Sequence, residues 1–291
     1  MDDRRSVADA ARQAEDLGYE EFYSYDHIGE VDPFVPLMVA AEATETLRVG
    51  PLVLNNELHH PVLLARTAAT VDLMTDGRLV LGIGTGYARD EHDSAGIELR
   101  PPGRRVDRLD ESLGLLRSLL DTGAGSADGH HRVAIEDLGV RPVQGRVPLL
   151  IGGHGRRVVG LAARHADIYQ FTGLEHGPDG STSPSGFGMD DVRARSRWIQ
   201  ADAADRYTEI ELSVLVQRTD VGDDADVAAA AAAERFDDDR TLVDETPFLM
   251  FGSVGQVVEK LERLRDEIDV SHVVIRDAQD FAPVVAELAG R

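Results

Sequence analysis

Apolar positions along the chain follow two alternating periods. Val7, Ala10, Ala11, Ala14 and Leu17 recur at helical spacing across 2–17, and Gly18 is a natural stop. EEFYSYDHIG at 20–29 reads as a short aromatic strand running into a polar end, and the Ala-rich stretch 36–46 as a helix. RVGPLVLNN at 48–56 is a β-branched strand ending in two asparagines. His60-Pro61 starts a helix that runs to Met74 and stops at Asp76-Gly77. A buried strand begins at Leu79, and Leu109, Leu113, Leu116 and Leu120 mark a helix over about 105–120. Residues 121–146 are mixed and glycine-rich, with a hairpin as the candidate element. Strand 148–151, helix 157–164 and strand 167–172 follow, then a polar loop at 173–188 that is too long for a plain connector. Helix 190–205, strand 209–217, an acidic Ala-rich segment at 223–240, PFLMFGS, the amphipathic helix 254–268, strand 272–276 and a last helix complete the order.

Seven strands alternating with eight helices predict a parallel sheet with right-handed crossovers. A doubly wound sheet and a (β/α)8 barrel both satisfy that order. The 291 residues lie close to the ~250 typical of the barrel, so the expectation is one α/β domain over 1–291 of TIM-barrel type. No low-complexity linker divides the chain. A seven-stranded barrel would leave two unpaired edges, so a first strand of about six residues is expected to be missing from the N-terminus.

Composition narrows the chemistry. A net charge of −23 argues against a nucleic-acid or anionic-membrane partner, since a phosphate-binding face needs clustered positive charge. Lys260 is the only lysine. With no cysteine, disulfides, thiolate catalysis and cysteine-ligated metals are excluded. No apolar run reaches the ~18 residues of a membrane helix, and MDDRRSVADAAR has no signal-peptide core, so a cytoplasmic protein is expected.

In a barrel the site lies at the C-terminal strand ends. The polar ends then form one rim: Asp26 and His27, Asn55 and Asn56, the run Gly84–Glu91, Gly152–Arg157, Thr172, and Gln217–Thr219. In LVLGIGTGYARDE, at 79–91, Gly82, Gly84 and Gly86 close a strand, which means either a loose turn or the close approach of a backbone or ligand. His27 is a candidate general acid or base at neutral pH, or a structural hydrogen-bonding residue in its aromatic setting. GGHGRR at 152–157 reads as an anion site at a helix N-terminus, or as a glycine turn followed by solvated arginines. Neither glycine cluster completes G-x-G-x-x-G, since position 87 is Tyr and position 158 is Val, and no Walker A sequence occurs. The pairs His59-His60 and His130-His131 point their rings in different directions and make poor metal sites, so no metal is expected. Ser24 and Ser213 lack a nucleophile-elbow setting, and Asp237 to Asp239 read as a solvated acidic face.

Longer blocks carry a resemblance. AEDLGYEEFYSYDHIG, GPLVLNN, PVLLARTAATVDLMTDGRLVLGIGTGYARDEHDSAGI, VPLLIGGHGRRVVGLAARHAD and FGS-x-x-Q-V-V-E-K-L resemble the luciferase-like monooxygenase superfamily, and more narrowly its members that use the deazaflavin coenzyme F420. The resemblance implies a (β/α)8 barrel whose first strand precedes the opening helix. It implies Asp26 and His27 beside the deazaflavin ring, with His27 close to the reacting carbon. Leu54, Asn55 and Asn56 would back the ring at a bulged strand end, often with a non-proline cis peptide. Thr85, Gly86 and Asp90 would contact the ring or its side chain, and Gly153, Gly155 and Arg156 the phosphate. The implied reaction is hydride transfer between C5 of the coenzyme and a small organic substrate, with His27 moving the accompanying proton and loop 173–188 as lid or substrate wall. A flavin mononucleotide (FMN) monooxygenase served by a reductase partner is the alternative, and a non-catalytic cofactor-binding protein is the second. Family members are commonly homodimers.

Overall fold

Helix Arg4–Asp16 forms where the apolar spacing predicts it and is capped by Asp3, whose carboxylate accepts from Ser6 N at 2.8 Å. Its buried face, Val7, Ala11 and Ala14, packs with Leu37, Ala40 and Ala41 of helix Phe34–Ala43 and with Leu47 and Val49. Glu15 fixes the register of this corner. The N–H groups of Thr46, Glu45 and Leu47 all donate to its carboxylate, and they hold its pKa below the usual carboxylate value. The structure, a computed structural model, describes residues 3–177, 182–222 and 225–289.

The chain divides into two compact units, Met1–Gly152 with His165–Asp167 and His176–Ser181, and Gly153–Arg164 with Ile168–Glu175 and Thr182–Arg291. In the first, strand Glu21–Ser24 pairs in parallel with Arg48–Pro51, Glu21 opposite Arg48 and Ser24 opposite Pro51. Strand Leu81–Gly84 runs parallel to Leu54–Asn55 and to Leu149–Gly152. A Cβ on Gly82 would collide with the Pro51 carbonyl, so this glycine serves the approach of one strand backbone to another. Helix Pro61–Met74, capped by His60 with Pro61 at its first position, packs near helix Pro102–Thr122. Buried Asp72 accepts from Val143 N and Gln144 N at 2.6 and 3.0 Å and so ties the irregular 136–146 stretch to the first of these helices. The expected hairpin is Gly125–Asp128 with Arg132–Ile135.

In the second unit, Glu211–Leu215 lies parallel to Ile168–Phe171 and to Val270–Val274, and Arg218–Val221 parallel to Leu249–Gly252. Helices Arg156–His165, Met189–Ala203, Ala225–Ala233, Val254–Ile268 and Ala278–Leu288 alternate with them. Ser253 and Gln256 form a capping box on the fourth of these. Arg195, only 2% exposed, donates to the carbonyls of Thr172 at 2.6 Å and Gly186 at 2.5 Å, which fastens both flanks of the 173–188 loop. Residues 178–181 of that expected lid lie outside the described residues.

The alternation read from the sequence is present in both units. Three local readings change. Helix Arg89–Ala95 forms where a polar strand end was expected; its seven residues bury only His92, so no apolar stripe announced it. PFLMFGS supplies strand Leu249–Gly252, and the last strand is Val270–Val274, starting two residues before the expected 272–276. Among the described residues no helix is long and apolar enough to cross a membrane.

Candidate functional site

In the first unit the strand end at Leu54–Asn55 gathers most of the candidate residues. The peptide bond Leu52–Val53 is cis, at the place where the resemblance implies a non-proline cis bond. Asp26 Oδ2 accepts from Asn55 N at 2.9 Å and from His59 Nε2 at 2.8 Å, with the Asp26 side chain 9% exposed. The carboxylate can only accept, so the proton of that contact sits on His59. The Asn55 side chain accepts from Glu57 N at 3.0 Å through Oδ1 and donates to His92 Nε2 at 2.8 Å through Nδ2. Fully buried His92 turns Nδ1 to the Ile97 carbonyl at 3.2 Å, which makes Nδ1 the protonated nitrogen and Nε2 the acceptor.

Gly86 sits against this network at φ +74°, and a Cβ there would land on the Asn55 amide. Two penalties therefore act on a side chain at 86, the left-handed backbone and the displaced amide. We expect Gly86→Ala to lower stability by about 1–3 kcal/mol, read as a reduced urea midpoint with unchanged slope. An unchanged midpoint would mean that Asn55 moves away without cost.

His27 lies at the adjoining end of strand Glu21–Ser24. Its Nδ1 is 2.6 Å from Glu91 Oε1, and the second Glu91 oxygen accepts from Ile28 N at 3.0 Å. Glu91 is thus held on both oxygens and fixes the imidazole. Tyr25 and Tyr87 flank the ring at centroid distances of 5.8 and 5.9 Å, and the Tyr87 hydroxyl is 3.4 Å from Nε2. The side chains of His27 and Glu91 are 34% and 22% exposed, which leaves Nε2 reachable. With Nδ1–H donated to the carboxylate, Nε2 carries the lone pair, and after protonation it becomes the donor. The arrangement can accept and return one proton at a fixed point.

Charge below this layer is buried and paired. Glu57 has a fully buried carboxylate between Arg100 at 2.8 Å and Arg108 at 3.2 Å. Arg108 also donates to the carbonyls of Asn56 and His59, so the ion pair holds the backbone that carries the strand end. Asn56 is 1% exposed, and its Nδ2 has no hydrogen-bond partner among the described residues. Thr85 is half-buried just past strand Leu81–Gly84, and Asp90 is exposed in the first turn of helix Arg89–Ala95. The two histidine pairs come apart in space. His59 serves Asp26, while His60 meets His131 edge to face at 5.4 Å. Burial and the nearby Arg108 push the pKa of His131 down to about 4, which keeps it neutral beside Ser112 at 3.1 Å.

In the second unit Gly153 and Gly155 precede helix Arg156–His165. The Gly153 carbonyl accepts from the Tyr169 hydroxyl at 2.8 Å, whereas nothing lies within 4 Å of a Cβ built on Gly155. Arg156 is exposed, yet its guanidinium is engaged. It donates to both oxygens of Asp202, one at 2.7 Å, and lies over the Trp198 ring at 5.6 Å. The hydrogen bond from Arg156 holds the Asp202 carboxyl below its usual range.

Glu57, His92 and Arg108 were not picked from sequence, Glu91 was picked only as the end of the 84–91 rim run with no role, and His59 only as half of a poor metal pair. His59 reaches Asp26 and His92 reaches Asn55 only in space. The available signal was a run of titratable groups, Asp90 to Asp93, immediately after a glycine-ended strand.

Comparison with known proteins bears on this geometry. A family model described as luciferase-like monooxygenase matches residues 2–236. An uncharacterised protein of Mycobacterium tuberculosis is 30% identical over 173 residues, 51% of this chain and 60% of that protein. The chain therefore spans under two thirds of the length of the curated relatives it matches at this level. The F420-dependent glucose-6-phosphate dehydrogenase of Kribbella flavida is 27% identical over 285 residues, 94% of this chain and 79% of that protein. The coenzyme F420-dependent tetrahydromethanopterin reductase of Methanopyrus kandleri superposes with a TM-score of 0.74 at 19% identity, covering 99% of this chain and 94% of that one. The structural likeness shows the fold, the TIM-type α/β architecture of bacterial luciferases, as the alternation of elements together with the chain length led us to expect.

Proposed function

The chain belongs to the luciferase-like monooxygenase family, an enzyme family, and we propose that within it the protein is an F420-dependent oxidoreductase, moving a hydride between C5 of the coenzyme and a small organic substrate. The observation that carries this reading is the His27–Glu91 pair, a fixed and reachable proton site at a strand end. Its likeness to an F420-dependent dehydrogenase over 94% of the chain supports the choice of coenzyme. Two features fit a bound deazaflavin. The buried, unpartnered Nδ2 of Asn56 offers a donor to a ring carbonyl, and the open space over Gly155 at a helix N-terminus suits a phosphate.

In this proposal Leu54, Asn55, Asn56, Thr85, Gly86 and Asp90 hold the ring and its side chain, and Gly153, Gly155 and Arg156 take the phosphate. Asp202 then keeps the Arg156 guanidinium oriented. The coenzyme supplies hydride donation or acceptance, and the protein supplies position and the proton. Asp26, with Oδ2 already occupied by two donors, acts as a positioning residue that keeps Asn55 and His59 in place. His27 holds or releases the proton at Nε2, and Glu91 fixes its tautomer through Nδ1. The protein works as a cytoplasmic homodimer in the same reading.

Glu91→Gln tests the pairing. A hydrogen bond to a charged group is worth about 1.5–3 kcal/mol, so kcat with reduced F420 and a panel of small carbonyl and enone substrates should fall about 10- to 100-fold. KM for the coenzyme should stay as it is, because both Glu91 oxygens are taken up by His27 and Ile28. A loss confined to KM would assign Glu91 to binding instead.

A further inference from the structure

The one lysine of the chain, Lys260, lies inside the second unit on helix Val254–Ile268, 7% exposed. Lysine is almost never buried without a charged partner at its ammonium. Here Nζ donates to the Leu249 carbonyl at 2.8 Å, and no carboxylate lies within ion-pair distance of it among the described residues. Burial pushes the amine's pKa down to about 7 and Arg263 adds to this, outweighing Asp244 and Glu245, which act the other way. A substantial share of the amine is then neutral at physiological pH and carries a free lone pair.

Lys260 also lines a cavity of about 250 Å³. Val243, Phe251, Ala225 and Ala229 give it an apolar side, and Asp226, Arg240, Asp244, Glu259 and Arg263 a charged one. The charged groups are unequal. Arg240 is engaged by Asp226 at 2.9 Å and Asp244 at 2.7 Å. Arg263 makes no hydrogen bond or ion pair among the described residues. The cavity thus joins one nucleophilic amine, one uncommitted guanidinium and an apolar wall, in a volume suited to a molecule of a few heavy atoms.

We propose that Lys260 is a covalent capture site for a small aldehyde or keto compound carrying an anionic group, with Arg263 pairing that group. The Nζ lone pair attacks the carbonyl carbon, a C–N bond forms, and the carbonyl electron pair moves to oxygen, which takes up a proton. Loss of water from this carbinolamine leaves the imine. The step is redox-neutral and needs no further reactant.

The chain holds only two kinds of amine, Lys260 and its α-amine, so the test reads cleanly. The folded full-length protein is incubated with glyoxylate and cyanoborohydride, whose hydride reduces the imine to a secondary amine, and adducts are located by peptide mass spectrometry. The expected result is an adduct on Lys260 whose rate rises through pH 7 and levels above it, since only the neutral amine attacks. Compared well above neutral pH, where the amine is neutral with or without Arg263, Arg263→Gln should slow glyoxylate labelling severalfold and leave labelling by uncharged acetaldehyde unchanged. Lys260→Met, checked for folding by circular dichroism, should lose the adduct. Labelling confined to the α-amine, labelling of Lys260 only after unfolding, or equal glyoxylate rates with and without Arg263 would each overturn the proposal.

Discussion

Replacing His27 with Asn is expected to lower kcat by about 10²- to 10⁴-fold, the usual contribution of a positioned acid or base, while leaving the affinity for F420 nearly unchanged. Asn still offers a donor toward Glu91 but has no second nitrogen that gains and loses a proton. The effect should therefore fall on the chemical step. Measuring single-turnover rates with pre-bound reduced coenzyme isolates that step from binding and release. The geometry makes this the largest catalytic effect available in the first unit. His27 is the titratable group held by a two-point carboxylate and flanked by two tyrosine rings, with Nε2 still reachable. An unchanged single-turnover rate would remove His27 from the chemistry and leave it a structural residue.

The largest expected effect on stability lies at Glu57. Its carboxylate is fully buried and answers Arg100 and Arg108, so Glu57→Ala leaves the Arg108 guanidinium, itself 11% exposed, without its counter-charge. Removing one partner of a buried pair costs about 3–5 kcal/mol, which corresponds to a fall in melting temperature of about 10 °C for a chain of this size. The loss should spread to the site, because Arg108 also holds the Asn56 and His59 carbonyls. Coenzyme affinity should weaken together with stability. Asp128→Ala is the control. Asp128 and Arg132 form a pair whose side chains are 88% and 92% exposed, and breaking it should leave the melting temperature where it was. Equal shifts for the two variants would show that the buried pair has no special weight.

The sequence made the strands and their glycine-ended rims legible because both are local patterns. Period-2 and continuous apolar runs mark strands directly, and a glycine in a strand announces a close approach. Its spacing cannot say what approaches. Gly82 answers a strand backbone and Gly86 a side-chain amide, although both stand in one LGIGTG run. Asp26, His27, Asn55 and Asn56 were visible for the same reason, as polar groups after apolar runs. Their partners were not. His27 and Glu91 are 64 positions apart, and Arg156 and Asp202 are 46 apart, so nothing local predicts either pairing. The helix that carries Glu91 and His92 is too short and too polar to show a period. The reading of two adjacent arginines as a free anion site could not anticipate Asp202 near the end of a later helix. Lys260 stood out only as a compositional oddity, since its burial depends on a strand and a short helix that the pattern did not delimit.

Coenzyme identity is the central claim, and a fluorescence titration of the purified protein with F420 and, separately, with FMN tests it most directly. The account predicts saturable F420 binding that raises the heat-unfolding midpoint, with FMN binding at least an order of magnitude weaker. The opposite preference would contradict it and make the protein a flavin monooxygenase that depends on a reductase.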